Sequence, residues 1–174
     1  MPLKRSLLVP LAVAAVLLAS GPPGRAAAPV AGDSLCSAST QYVVRYNEQT
    51  VNPNTPVDDV IATIDKAIST YDDCASSMGS NGSAEGRHYA QMRSAQFHVA
   101  RARIQRLLED YDGARFQYKL AIGLVKDTID WRNGSRSSSS QSFYWEPASK
   151  IRDVAQGELD GLPKPVATSS PAPK

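Results

Sequence analysis

The stretch AEGRHYAQMRSAQFHVARARIQRLLE, residues 84–109, decides how this chain folds. Wound at 100° per residue, it gathers Tyr89, Ala90, Phe97, Ala100, Ile104, Leu107 and Leu108 on one side. Met92, Ala95, Val99 and Ala102 gather nearly opposite. An amphipathic surface helix carries one apolar stripe; a helix with two is packed on both sides. Such a helix needs helical neighbours on each flank. The predicted fold class is therefore all-α, a small antiparallel helical array or bundle.

The flanking sequence supplies those neighbours. Upstream, Thr55-Pro56 opens a helix with Thr as N-cap and Pro in the first turn, and Asp58 and Asp59 face the positive end of its dipole. Val60, Ile61, Ile64, Ala67, Ile68 and Tyr71 form one stripe, and the helix stops before Gly79. Downstream, residues 110–113 break the chain tightly. Ala114, Tyr118, Ala121, Ile122, Val125 and Ile129 then line one face of a third helix, with Phe116, Leu120 and Leu124 on a second. The helices over 84–109 and 114–129 are accordingly expected inside, and the helix before them as an outer layer.

A polar serine-rich stretch, residues 135–142, reads as a flexible loop. Phe143-Tyr144-Trp145 follows, and with Trp131 it is expected either to pack on the hairpin or to anchor a partner. Glu146-Pro147 starts a last helix carrying Ile151, Val154, Ala155 and Leu159, ended by Gly161 and Pro163. Residues 33–53 fit a short helix and an extended segment equally. Residues 163–174, rich in Pro, Ser and Ala, read as a disordered tail.

The run from Tyr111-Asp112-Gly113-Ala114 through Tyr118 to Ala121 resembles the second helix of a tetratricopeptide repeat. There a small residue, an aromatic four later and an Ala three beyond let paired helices approach closely. The likeness covers about residues 84–127. It has a fainter echo at 57–73, where an offset of 54 lays Val60, Ile64 and Ala67 on Ala114, Tyr118 and Ala121. The resemblance implies tetratricopeptide-like packing, a concave face lined by the first helix of the hairpin, and peptide or protein binding there. The sequence departs from the family where the first-helix signature falls on His98, Arg101-Ala102 and Gln105, where the terminal Pro falls on Lys126, and in the offset itself, which exceeds the usual ~34-residue period.

The first 32 residues read as a signal peptide. Lys4 and Arg5 precede an apolar run at 7–19, and small residues at 26–28 or 30–32 offer cleavage between about 28 and 32. The run is short for a bilayer span, so no transmembrane segment is expected in the mature chain. The chain then comprises one helical domain, residues 33–162, exported to a periplasmic or extracellular compartment. Losing Lys4, Arg5 and Arg25 from nineteen basic side chains leaves sixteen against seventeen acidic ones. That balance gives no electrostatic drive toward nucleic acid. In an oxidising compartment the two cysteines, Cys36 and Cys74, are expected to pair as a disulfide.

Chemistry is sparse. His88 and His98 point about 80° apart, and no metal-binding, phosphate-loop or nucleophile motif is present, so no metal, cofactor or catalytic residue is expected. Asn81-Gly82-Ser83 and Asn133-Gly134-Ser135 fit the glycosylation sequon but also simply turn the chain. The candidate binding residues are Arg87, Gln91, Ser94, His98, Arg101 and Gln105. They form one polar stripe on the 84–109 helix, suited to a carboxylate or phosphate and hence to an acidic peptide or protein. The functional expectation is a non-catalytic interaction module. The alternatives are a structural, envelope-associated protein and an enzyme without a readable motif. A concave polar-aromatic groove favours the first, a featureless convex surface the second, and a deep pocket of converging ionisable groups the third.

Overall fold

The computed structural model describes residues 36–81, 83–134 and 142–164, with backbone alone at 132–134 and 142–146. The expected signal peptide, most of the serine-rich loop and nearly all of the C-terminal tail lie outside the described residues. Five helices follow in chain order: α1 (Ser37–Val51), α2 (Val57–Ser80), α3 (Ala84–Leu107), α4 (Tyr111–Gly134) and α5 (Ser142–Asp160). The fold is all-α, and no described residue lies in a strand.

α3 is the hub. α2 and α4 pack along its two flanks, α5 packs on α4 and reaches α3, and α1 lies against α2. The two apolar faces of α3 are the cause: Phe97 and Ile104 on one side and Ala95, Val99 and Ala102 on the other are all buried. The 54-residue offset has a structural counterpart. Val60, Ile64, Ala67, Tyr71 and Ala75 of α2 are buried, and so are Ala114, Tyr118, Ala121, Val125 and Ile129 of α4. The two helices thus present equivalent positions to the helix between them.

The helix ends differ from expectation in small ways. α2 begins at Val57 with Pro56 in the N-cap position and no side-chain cap, one residue beyond the expected Thr55. α3 is capped by Ser83, whose hydroxyl accepts from the Gly86 N–H at 3.2 Å. It ends at Leu107 rather than at 109 because Glu109 turns into the left-handed region, φ 61°. There the Asp110 N–H reaches back to the Gln105 carbonyl at 2.8 Å. Asp110 then opens α4, its carboxylate accepting from the Gly113 N–H at 3.0 Å. A Cβ on Gly113 would lie 2.2 Å from the ends of both Asp110 and Gln105, so a glycine lets this corner close. α5 starts at Ser142, not at Glu146, and carries Pro147 in its interior, where the missing N–H costs one hydrogen bond.

Residues 37–51 of the ambiguous N-terminal segment are helical. Cys36 and Cys74 form a disulfide, with Cα atoms 5.8 Å apart, fastening the start of α1 to α2. Farther along α1, Tyr46 is buried with its ring edge-on to Phe97, centroids 5.6 Å apart. Tyr71 stacks on the same Phe97 at 6.1 Å, so α1 and α2 share one aromatic contact on α3.

The expected layering needs correction at α4. Its inner stripe is buried as expected, but Phe116 is 59% exposed and Leu120 36%. Leu124 of this second stripe is half-buried against the core, but no described helix buries Phe116 and Leu120. Periodicity reported an apolar face there without reporting what packs on it.

Candidate functional site

The polar stripe of α3 emerges between α2 and α4, at the bottom of an open groove of about 440 Å³. One wall is α2, with Asp65, Ile68, Asp72 and Asp73; the other is α4, with Phe116 and Leu120. His98 forms the floor.

The six stripe residues have divergent fates. Ser94 is fully buried and donates to Asp72 at 2.7 Å. His98 is buried, its Nδ1 lying 2.6 Å from the Gln117 side-chain oxygen on α4. Because that oxygen only accepts, Nδ1 carries the proton in this arrangement. Arg101 is half-buried and pairs through Nε with Asp65 at 3.1 Å. Gln105 reaches Asp110 at 2.9 Å, Gln91 sits against His88, and Arg87 is exposed near the His88 ring. The expectation of one accessible face is therefore corrected. Ser94, His98 and Arg101 come together, but they spend their polar groups tying α3 to both walls. The helical wheel placed them on one line; it carried no information about the neighbours standing over that line.

Two further clusters lie outside the groove. Arg103 of α3 forms a bidentate ion pair with Glu158 of α5, its Nε 3.0 Å from each carboxylate oxygen. The hydroxyl of the fully buried Tyr118 donates to the same carboxylate at 2.5 Å. Burial alone would raise the Glu158 carboxyl, but the bonds from Arg103 and Tyr118 and the charges of Arg103 and Arg106 outweigh it, leaving it below its ordinary value. Burial, then the Glu158 bond and charge, push the Tyr118 phenol up. Burial does the same to Tyr46. This cluster joins three helices and is closed on itself, which suits a clamp. It was invisible in the sequence because Arg103 and Glu158 stand 55 residues apart.

The second cluster is His88, fully buried and stacked on Trp131 with ring centroids 4.5 Å apart. Its Nδ1 faces the Thr128 hydroxyl at 3.3 Å. Burial and then the Arg87 charge lower its pKa, against a weaker upward pull from Asp127 and Gln91. Trp131 is thus packing rather than an exposed anchor. The side chains of Phe143, Tyr144 and Trp145 lie outside the described residues.

These groups set a pH window for stability. Glu158, depressed in the fold, stabilises it above the ordinary carboxylate value of 4.5 and stops doing so as the pH falls through its folded value. His88, also depressed, begins to oppose folding as the pH falls below 6.5. Tyr118 and Tyr46, raised in the fold, favour it up to pH 10.0, and their contribution declines as the pH climbs above that. Urea midpoints should therefore hold level from about pH 7 to 9 and fall on both sides. Glu158→Gln should flatten the acid limb below pH 5. An unchanged limb would remove Glu158 from this role.

No helix among the described residues is long and apolar enough to cross a membrane. No family model, curated protein or solved structure matches this chain.

Proposed function

We propose that this chain is an exported, non-catalytic interaction module that binds a segment of a peptide or protein partner in the α2–α4 groove. The observation that carries this reading is the unpartnered apolar stripe on one groove wall. Phe116 and Leu120 are exposed one helical turn apart, beside exposed aspartates and over a polar floor. Exposed aromatic side chains in a concavity are what partner recognition uses, and chain stability gains nothing from leaving them wet. Tetratricopeptide-like packing belongs to the same proposal. Its support is the complete burial of Ala114, Tyr118 and Ala121, where the resemblance requires close helix approach. The disulfide supports an oxidising, exported setting. The structural alternative lacks a use for the groove. For the enzymatic alternative, the Arg103–Glu158–Tyr118 cluster is the ionisable grouping among the described residues that comes nearest to a reactive site, and it satisfies itself.

The test separates binding from folding. Phe116→Ala combined with Leu120→Ala should lower the urea midpoint only modestly, because Phe116 is 59% and Leu120 36% exposed and neither belongs to the fully buried core. Affinity capture from the envelope fraction and culture medium, quantified against wild type, should show at least one protein depleted about tenfold or more. Identical captured sets, with folding intact, would place the binding face elsewhere.

A further inference from the structure

Resting on the reading of the groove as a binding face, its lining also specifies the occupant's chemistry. We infer that the groove takes a cationic–apolar peptide segment, with Lys or Arg placed beside a leucine or an aromatic residue. This reverses the charge expected from α3 alone.

The walls differ in kind. α2 contributes three carboxylates, Asp65, Asp72 and Asp73, all exposed, and no Lys or Arg lines the groove. Arg101 beside the floor offsets one of them by pairing with Asp65 at 3.1 Å. Asp72 accepts from the neutral Ser94 hydroxyl at 2.7 Å rather than from a cation. Asp73, one residue on, is exposed and adds a second carboxylate to the same groove. An acidic ligand, for which the Arg101 stripe alone would argue, would have to lie against this pair. The facing wall is apolar, with Phe116 and Leu120 four residues apart on α4. An occupant that satisfies both walls presents positive charge on one side and an apolar group on the other.

The dimensions fit an extended chain. Asp65 and Asp72 are two helical turns apart, about 10 Å along α2 at ~1.5 Å rise per residue. An extended peptide at ~3.3 Å per residue covers that in about three residues. A cation at one position can then face the α2 carboxylates while the next residue, pointing the other way, faces the α4 wall of Phe116 and Leu120. A second copy of this chain fits less well, because it would bring its own Asp72 and Asp73 to a groove lined by no Lys or Arg.

The experiment is selection of a random dodecapeptide phage library on the exported chain at low salt. Enriched peptides are then titrated by fluorescence anisotropy against wild type, Asp72→Asn/Asp73→Asn and Phe116→Ala. Asn at 72 still accepts the Ser94 hydroxyl, so the wall keeps its shape while losing charge. The expected result is enrichment of Lys or Arg next to Leu, Phe or Trp. Affinity should fall about tenfold in the double Asn variant, about tenfold in Phe116→Ala, and further as salt rises. Peptides sensitive to Phe116→Ala but indifferent to the Asn pair, or acidic peptides, would overturn the cationic inference and leave the groove standing. Peptides indifferent to both variants would overturn the groove reading itself. No enrichment at all would overturn both.

Discussion

Tyr118→Ala is expected to destabilise the domain by about 3–5 kcal/mol, the range for emptying a buried aromatic site. Three losses converge there. The side chain is fully buried between Ala114 and Ala121 on the inner face of α4, where small neighbours cannot swell to fill the space. Its hydroxyl is also one of the donors holding Glu158, so truncation removes a hydrogen bond from a partly buried carboxylate. Finally, Tyr118 links α4 to α5 through that carboxylate, while Arg103 links α3 to the same group. Tyr118→Phe isolates the hydroxyl, and its cost should be a fraction of the alanine loss, about 1–3 kcal/mol. Val154→Ala, on the half-buried face of α5, should cost less than Tyr118→Ala. Urea melts ranking Val154 above Tyr118 would show that the core is elsewhere.

The second large effect concerns the disulfide. Cys36→Ser with Cys74→Ser should cost about 3–4 kcal/mol in the chain-entropy treatment, since the bond closes a loop spanning 38 positions. The effect should be local as well as global. Within α1 the buried side chains are few, Ser39 and Tyr46, and the Ser39 hydroxyl has no hydrogen-bond partner. Without the covalent tie, α1 is held by Tyr46 on Phe97 and by the half-buried Tyr42 and Val43 alongside it, all toward its middle and none at its start. Limited proteolysis of the double variant should therefore cut within residues 37–51 before any other helix. Intact-mass measurement with alkylation checks the premise: wild type should take up no alkyl group until reduced. Two alkylated thiols in the native protein would remove the tie from the structure.

The helices were legible because burial on one or two faces writes a 3.6-residue period into the sequence. The two apolar faces of α3 announced its central position, and the matched stripes of α2 and α4 announced their shared partner. α1 was not legible. Tyr42-Val43-Val44 favours an extended chain locally, and what makes it helical is the Cys36–Cys74 tie together with Tyr46 seated on Phe97, both tertiary. The start of α5 was misplaced because Pro147 reads as a helix opener, whereas the helix begins at Ser142 and runs through it. The candidate site was half legible. The wheel put Ser94, His98 and Arg101 on one line, and the structure keeps them together. Their partners Asp72, Gln117 and Asp65 come from other helices, so no local pattern could show that the stripe was already engaged. Phe116 and Leu120 were read as core for the same reason, because a period identifies an apolar face and leaves open whether anything covers it.

The groove is most directly tested by site-specific photocrosslinking in producing cells. A benzophenone side chain at position 120 stands on the groove wall, and one at position 152 stands on the exposed outer face of α5. Irradiation should yield a discrete adduct of higher mass from position 120 and none from position 152. Adducts from position 152 alone, or equal adducts from both, would contradict the assignment of the α2–α4 groove as the binding face.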